Sequence, residues 1–278
     1  MMKPWLKRWR LVVSLVVAGV AGAVQAAPER VVSLGGSVTE IVYALGQGGL
    51  LVADDDSSLY PEAATQLPSV GYYRAVPVEG VVAQSPDLVL ASENAGPPTA
   101  LARLTGLGLS FKVITDQPTL ASLYQRVEDV AQALQVPTAG QALAEKIRGE
   151  VAVAQQVPAT PLRALVLVNR TGPWLAAGGN TTAGAILELA GLENAMASQQ
   201  GYKPIAAEGM AMLAPELIIV TQASLRASGG MERFLSRAGI ASTPAAKNKR
   251  VVEMDDLLIQ GMGPRVGLAI RQLKDAAR

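Results

Sequence analysis

From Arg30 onward the chain repeats one pattern: a short apolar run, a turn, then a helical segment. That alternation commits it to a parallel, helix-covered sheet. RVVSL (30–34) reads as a buried strand. It runs into GGSVTEIVYALG, where Ser37 stands as a helix cap and Glu40, three residues on, completes a capping box. LLVADDDSS reads as a strand ending in a polar turn, VEGVVAQSP as a short helix stopped before Pro86, and DLVLAS (87–92) as another buried strand. LARLTGLG and FKVITD continue the series.

The alternation stops between Thr119 and Gln156, where apolar residues recur at helical spacing with one break at Val136-Pro137. This stretch is two helices, or one long helix bent at the proline. The α/β pattern then resumes with RALVLVNR, GNTTAGAILELAG, ELIIVT, VVEMDD and a closing helix in GPRVGLAIRQLKDAAR. Residues 72–92 can be laid against 202–222, without a gap from Glu79-Gly80 and Glu208-Gly209 onward. The expected fold is therefore two similar α/β lobes with central parallel sheets, joined by a long bridging helical segment, with the ligand cleft between them. The corresponding divisions are 27–118, 119–157 and 158–278.

Residues 1–10 carry four basic side chains and no acidic one, and an apolar run (11–24) and QAAP follow. Val24 and Ala26 satisfy the small-residue rule, which predicts a signal peptide over 1–26 cut after Ala26. The apolar run is shorter than the roughly 20 residues of a membrane span. Removing the leader leaves 20 basic and 23 acidic residues, a balance that argues against a nucleic-acid partner. The chain has no cysteine, hence no disulfide and no lipid-bearing cysteine, and the mature protein is expected to be soluble, unanchored and monomeric in a periplasm. It also has no histidine, which excludes the usual zinc, copper and nickel sites and every His-based triad.

Ligands of open α/β sheets sit beyond the carboxyl ends of the strands. GGSVT (35–39) and GGNTT (178–182) lie at such places, and each is either an anion-receiving helix start or an ordinary one. The sharper signal is Tyr72-Tyr73-Arg74, in a chain with only six tyrosines. In extended backbone Tyr72 and Arg74 face together and Tyr73 faces away. A nearby cation favours phenolate, a hard anionic oxygen suited to ferric iron, and an arginine pairs with a carboxylate on the same ligand. The alternative is that both rings pack under a loop and Arg74 is solvated.

The leader, RVVSLGGSVTEIVYALG, LPSVGYYRAVPVEGVVAQSPDLVLAS and MDDLLIQGMGPR together resemble the periplasmic haem-binding proteins that feed ABC haem importers. The resemblance runs from Arg30 to the C-terminal helix, and its most specific element is the VGY-x-R pattern. It implies two lobes that move little on binding, with haem b, ferric protoporphyrin IX, as transported ligand. Tyr72 would be the axial iron ligand, Arg74 the propionate partner and Tyr73 a wall residue. A second-lobe arginine is implied near the haem, with Arg226 the first candidate and Arg170 the reserve. Some members use a histidine to hold a second stacked haem. This chain has none, so one haem, five-coordinate through Tyr72, is expected. Glu79 and Glu208 open equivalent helices, where the helix dipole alone accounts for an acidic residue. The resemblance adds a second role, docking to the haem permease.

The function expected is thus a binding protein rather than an enzyme, delivering haem to an ABC importer. The same scaffold holding a ferric siderophore or a corrinoid is the near alternative. A carboxylate-metal hydrolase built on Asp54-Asp55-Asp56 and Asp255-Asp256 is the remote one.

Overall fold

The computed structural model describes residues 27–169 and 172–278. The expected signal peptide and Arg170 lie outside the described residues. Strands β1 (Val31–Leu34), β2 (Leu51–Ala53), β3 (Leu88–Ser92) and β4 (Ser110–Ile114) form the first sheet, in the order β2-β1-β3-β4 and parallel throughout. Helices α1 (Gly36–Ala44), α2 (Val78–Ala83) and α3 (Pro98–Gly106) connect them. The crossovers put helices on both faces, so the central strands β1 and β3 are buried along their whole length.

Two helices follow rather than one bent helix: α4 (Leu120–Ala133) and α5 (Pro137–Gln156). Pro137 occupies the first turn of α5, where its missing N–H costs nothing.

The second lobe contains β5 (Arg163–Val168), β6 (Leu175–Ala177), α6 (Thr182–Leu189), β7 (Glu193–Asn194), β8 (Tyr202–Pro204), α7 (Ala207–Leu213) and β9 (Leu217–Thr221). Short helices α8 (Gln222–Ala227), α9 (Met231–Leu235), α10 (Ala238–Ala241) and α11 (Pro244–Lys247) then lead to β10 (Val251–Met254), α12 (Asp256–Gln260) and α13 (Val266–Ala276). The sheet order is β10-β9-β5-β6-β8, with β7 pairing β5. The β10, β9, β5 and β7 pairings are parallel, whereas β6 and β8 add an antiparallel edge. The architecture is the expected two-lobed α/β fold, but its second sheet is mixed.

Strand alternation divides the core. Val31, Leu88, Leu90, Ala164 and Val166 point toward α1, α4, α5, α6 and α13, in one apolar cluster that runs through both lobes. Their neighbours Val32, Leu34 and Val89 face outward under α2 and α3, and Leu165, Leu167 and Val220 pack beneath Trp174 and Phe234.

The shared core is reinforced by two arginines, Arg126 fully buried and Arg265 partly so. Arg126 of α4 has no exposed surface. It donates from Nε to the Thr115 carbonyl (2.8 Å) and from Nη1 to Ser37 Oγ (2.9 Å) and the Gly261 carbonyl (3.2 Å). Its Nη2 lies 2.9 Å from Asp116 Oδ1. Arg265 grips Glu40 with Nε (2.9 Å) and Nη2 (3.1 Å), reaches Asp255 Oδ1 (3.3 Å), and stacks on Tyr60. Each arginine ties first-lobe α1 to the 255–265 segment of the second lobe. Removing one partner from such a buried pair costs roughly 3–5 kcal/mol.

These contacts replace the expected capping box. Helix α1 is capped by Gly35 with no side-chain cap, while Ser37 accepts from Arg126 and Glu40 binds Arg265. The Gly36 amide at the start of the helix donates instead to Ser57 Oγ (2.8 Å), which leaves Ser37 and Glu40 to meet the acceptor demand of the two guanidinium groups.

Candidate functional site

A cavity of about 840 Å³ opens between the lobes at the carboxyl ends of the strands. The first lobe contributes the Gly35–Ser37 turn, Ser57, Leu59, the Tyr72–Arg74 loop and Asn94. The second contributes Asn169, Pro173, Asn180, Thr181, Tyr202 and the 256–261 segment. Two carboxylates on the lining are already engaged. Asp116 accepts from Ser92 Oγ (2.7 Å) and pairs with Arg126, and Asp256 accepts from the Ala223 amide (2.8 Å). Among the described residues, Arg74 is the only basic side chain on the lining.

The three residues singled out by sequence meet here, in a different arrangement from the one expected. Tyr72 is extended, but Tyr73–Ala75 form a 3-10 turn. Alternation applies to extended backbone, whereas in the tight turn successive side chains are only about 120° apart. Tyr73 therefore does not face away. Its ring meets Tyr72 edge-on at 5.1 Å, and the Arg74 guanidinium lies over it at 4.9 Å, within reach of both phenols. Such stacking adds about 0.5–1 kcal/mol and holds the guanidinium at the cleft wall.

The two phenols differ in environment. Tyr72 is 41% exposed and projects into the cleft. Burial pushes the Tyr73 phenol up to about 12, against the opposing pull of Arg74, so it stays neutral near pH 7. This leaves Tyr72 as the phenol accessible to a ligand and Tyr73 as a wall.

Tyr202 is a cleft residue that the sequence reading used only as part of the internal repeat. It sits on edge strand β8, paired in register with Ala177. Burial raises its phenol, and it is close enough to Arg74 and Tyr73 for their charges to act on it. The signal was available: counting back without a gap from Glu208 and Glu79 makes Tyr202 the counterpart of Tyr73. The repeat has placed one tyrosine on each wall.

Other expected residues are dispersed. Arg226 is exposed on α8 and does not line the cleft. Arg170 lies outside the described residues. Thr181 caps α6 by accepting from the Gly184 amide (3.0 Å), an ordinary helix start. Glu79 and Glu208 stand exposed in the first turns of α2 and α7, and Glu79 makes a loose ion pair with exposed Arg103 (3.5 Å).

The aspartate runs do not converge. Asp54 is buried, Asp55 binds backbone amides and serines, and Asp56 accepts from Ser69 Oγ. Asp255 caps α12 by accepting from the Leu258 amide. Among the described residues no group of three or more Asp, Glu, His or Cys gathers as a metal site.

Comparison with known proteins finds relatives of the same fold. The periplasmic heme-binding protein RhuT from Roseiflexus sp. RS-1, in apo form, is 37% identical with a TM-score of 0.85, over 90% of this chain and 99% of that one. The periplasmic heme-binding protein BhuT, in complex with two hemes, is 38% identical with a TM-score of 0.83, over 91% and 98%. The vitamin B12-binding protein of Photorhabdus laumondii is 28% identical over 261 residues, 93% of this chain and 91% of that protein. A family model described as "Periplasmic binding protein" matches residues 31–258. With most of its length inside that match, the chain belongs to the periplasmic binding protein family, the substrate-binding proteins of transporters.

Proposed function

We propose that this protein captures ferric haem b, one per chain, in the periplasm and delivers it to the permease of an ABC importer. The observation that carries the reading is the Tyr72-Tyr73-Arg74 cluster in the cleft. It offers an accessible phenol, suited as phenolate to ferric iron, beside a guanidinium suited to a propionate. Tyr73 and Tyr202 supply flat, neutral walls for the macrocycle, whose burial adds the apolar part of the affinity. Two relatives at 37–38% identity are described as heme-binding, which supports the same cargo. A second-lobe arginine near the propionates remains part of the proposal, with Arg170 the reserve candidate since Arg226 lies outside the cleft lining. Glu79 and Glu208 would meet basic residues of the permease from exposed positions on the two lobes.

A corrinoid is the second reading, favoured by the vitamin B12-binding relative. A cargo whose metal is already saturated by its own ligands would leave Tyr72 with nothing to bind, and the same holds for a ferric siderophore.

The test is to titrate residues 27–278 with hemin and, separately, with cyanocobalamin, beside a Tyr72→Phe variant. Saturation near one haem with a high-spin ferric, phenolate-to-iron charge-transfer band, lost in the variant, is the expected result. Saturation at two haems would correct the stoichiometry alone. Cyanocobalamin binding without hemin binding would replace haem by a corrinoid.

A further inference from the structure

We infer that Asp55 is a positioning residue of the cleft: its buried carboxylate ties the loop carrying Tyr72 to the glycine turn on the cleft wall. The middle residue of the Asp54–Asp56 run is 2% exposed and meets five donors. Oδ1 accepts from the Gly35 amide (2.8 Å), Ser57 Oγ (3.0 Å) and Ser58 Oγ (3.3 Å). Oδ2 accepts from the amides of Ser57 (3.0 Å) and Tyr73 (3.3 Å). An ionised carboxylate is acceptor-only, and the three backbone amides can only donate. No neutral side chain of the same shape offers acceptors on both oxygens.

The carboxylate bonds directly to both sides, whereas its neighbours each serve one: Ser57 Oγ accepts from the Gly36 amide (2.8 Å) and Ser58 Oγ meets Thr39 Oγ1 (2.6 Å). Gly35 begins the β1–α1 turn at φ +119°, a conformation suited to glycine, with Ser92 packed closely against it. The tyrosine loop runs beside the aspartates: the Val70 amide donates to the Asp54 carbonyl (2.8 Å) and the Asp56 amide to the Gly71 carbonyl (3.0 Å). That backbone pairing ends at Gly71. At Tyr73 the fastening passes to Asp55 Oδ2 on one side and to the Gly96 amide, which donates to the Tyr73 carbonyl (2.9 Å), on the other. Tyr72 therefore stands between two anchored residues, with its side chain projecting into the cleft beside Arg74.

A phenol that must meet a metal at bonding distance tolerates little displacement, so a support of this kind governs both affinity and the electronic character of the bond. This functional consequence rests on the haem reading. The structural link does not.

The experiment compares the wild type with Asp55→Asn and Asp55→Glu by amide hydrogen exchange of the ligand-free proteins and by hemin titration. The asparagine keeps the shape but leaves one amide group facing backbone donors. The glutamate keeps the charge but displaces it by a methylene. Both are expected to speed exchange at Gly35 or Tyr73 at least tenfold relative to β3, to weaken hemin at least fivefold and to shift the charge-transfer band. If Asp55→Asn does not fold, Asp55→Glu carries the comparison. Unchanged exchange at both amides overturns the inference, as does an unchanged band with unchanged affinity. A wild type that ignores hemin while the variants lose protection would overturn the haem reading and leave the positioning role standing.

Discussion

Arg74 gives the most quantitative handle on what the cleft recognises. Among the described lining residues it is the only cation, and the cleft's two carboxylates are both occupied by protein donors. Among the described residues, an anionic group on the ligand would therefore depend on this one guanidinium. Hydrogen bonds to charged groups contribute about 1.5–3 kcal/mol. Arg74 is exposed to solvent, and screening reduces that figure by about half, to roughly 0.8–1.5 kcal/mol. Arg74→Met should then raise the Kd for hemin about 4- to 12-fold. Methionine retains apolar contact with Tyr73, so the loss reports mainly charge. Isothermal titration with hemin and with its dimethyl ester, which has no free propionate, separates the causes. The ester should bind wild type and variant within about twofold of each other, the double-cycle signature of a carboxylate–arginine interaction. Wild-type affinity for hemin should also fall with salt more steeply than that of the variant. Equal affinity of the two proteins for hemin, or the same loss for the ester, would refute the reasoning.

Two further outcomes are expected. Burial, with Asp55 and Asp56 nearby, raises the Asp54 carboxyl from 3.8 to about 8, so the folded protein holds a proton there that the unfolded chain releases. Stability from this group is complete below about pH 4 and declines as pH rises toward about 8; Asp54→Asn should flatten the profile and gain about 1–2 kcal/mol at pH 9, read from urea midpoints at pH 5 and 9. Parallel profiles would show that Asp54 is not the protonated group. For docking, Glu79→Lys and Glu208→Lys should leave hemin affinity within about twofold but lower stimulation of the permease's ATPase at least fivefold when combined, since both side chains are exposed and outside the cleft lining. Undiminished stimulation would remove both from the interface.

Much of the fold was legible because its signals are periodic. Buried parallel strands are continuous apolar runs, and RVVSL, DLVLAS and ELIIVT correspond to β1, β3 and β9 within a residue or so. The antiparallel edge was not legible. Strands β6 and β8 are three residues each, too short for a period, and β8 ends in Pro204, which suits a sheet edge. The expected capping box failed for the converse reason. Ser37 and Glu40 match a local motif, but residues 89 and 225 positions away claim both side chains.

The candidate site divides in the same way. The identity of its chemistry, a tyrosine pair beside an arginine in a chain without histidine or cysteine, was determined by sequence alone, because absent residue types cannot be supplied by folding. Placement was a tertiary matter. The 3-10 turn brought Tyr73 back against Tyr72, the second lobe set Tyr202 across the cleft, and Arg226 fell outside it. The aspartate run that composition allowed as a metal site became a brace for the tyrosine loop. Local sequence specifies which groups a segment carries and which backbone states it prefers. Which of those groups share a cavity depends on contacts between distant segments, and those form only when the two lobes close over a common core.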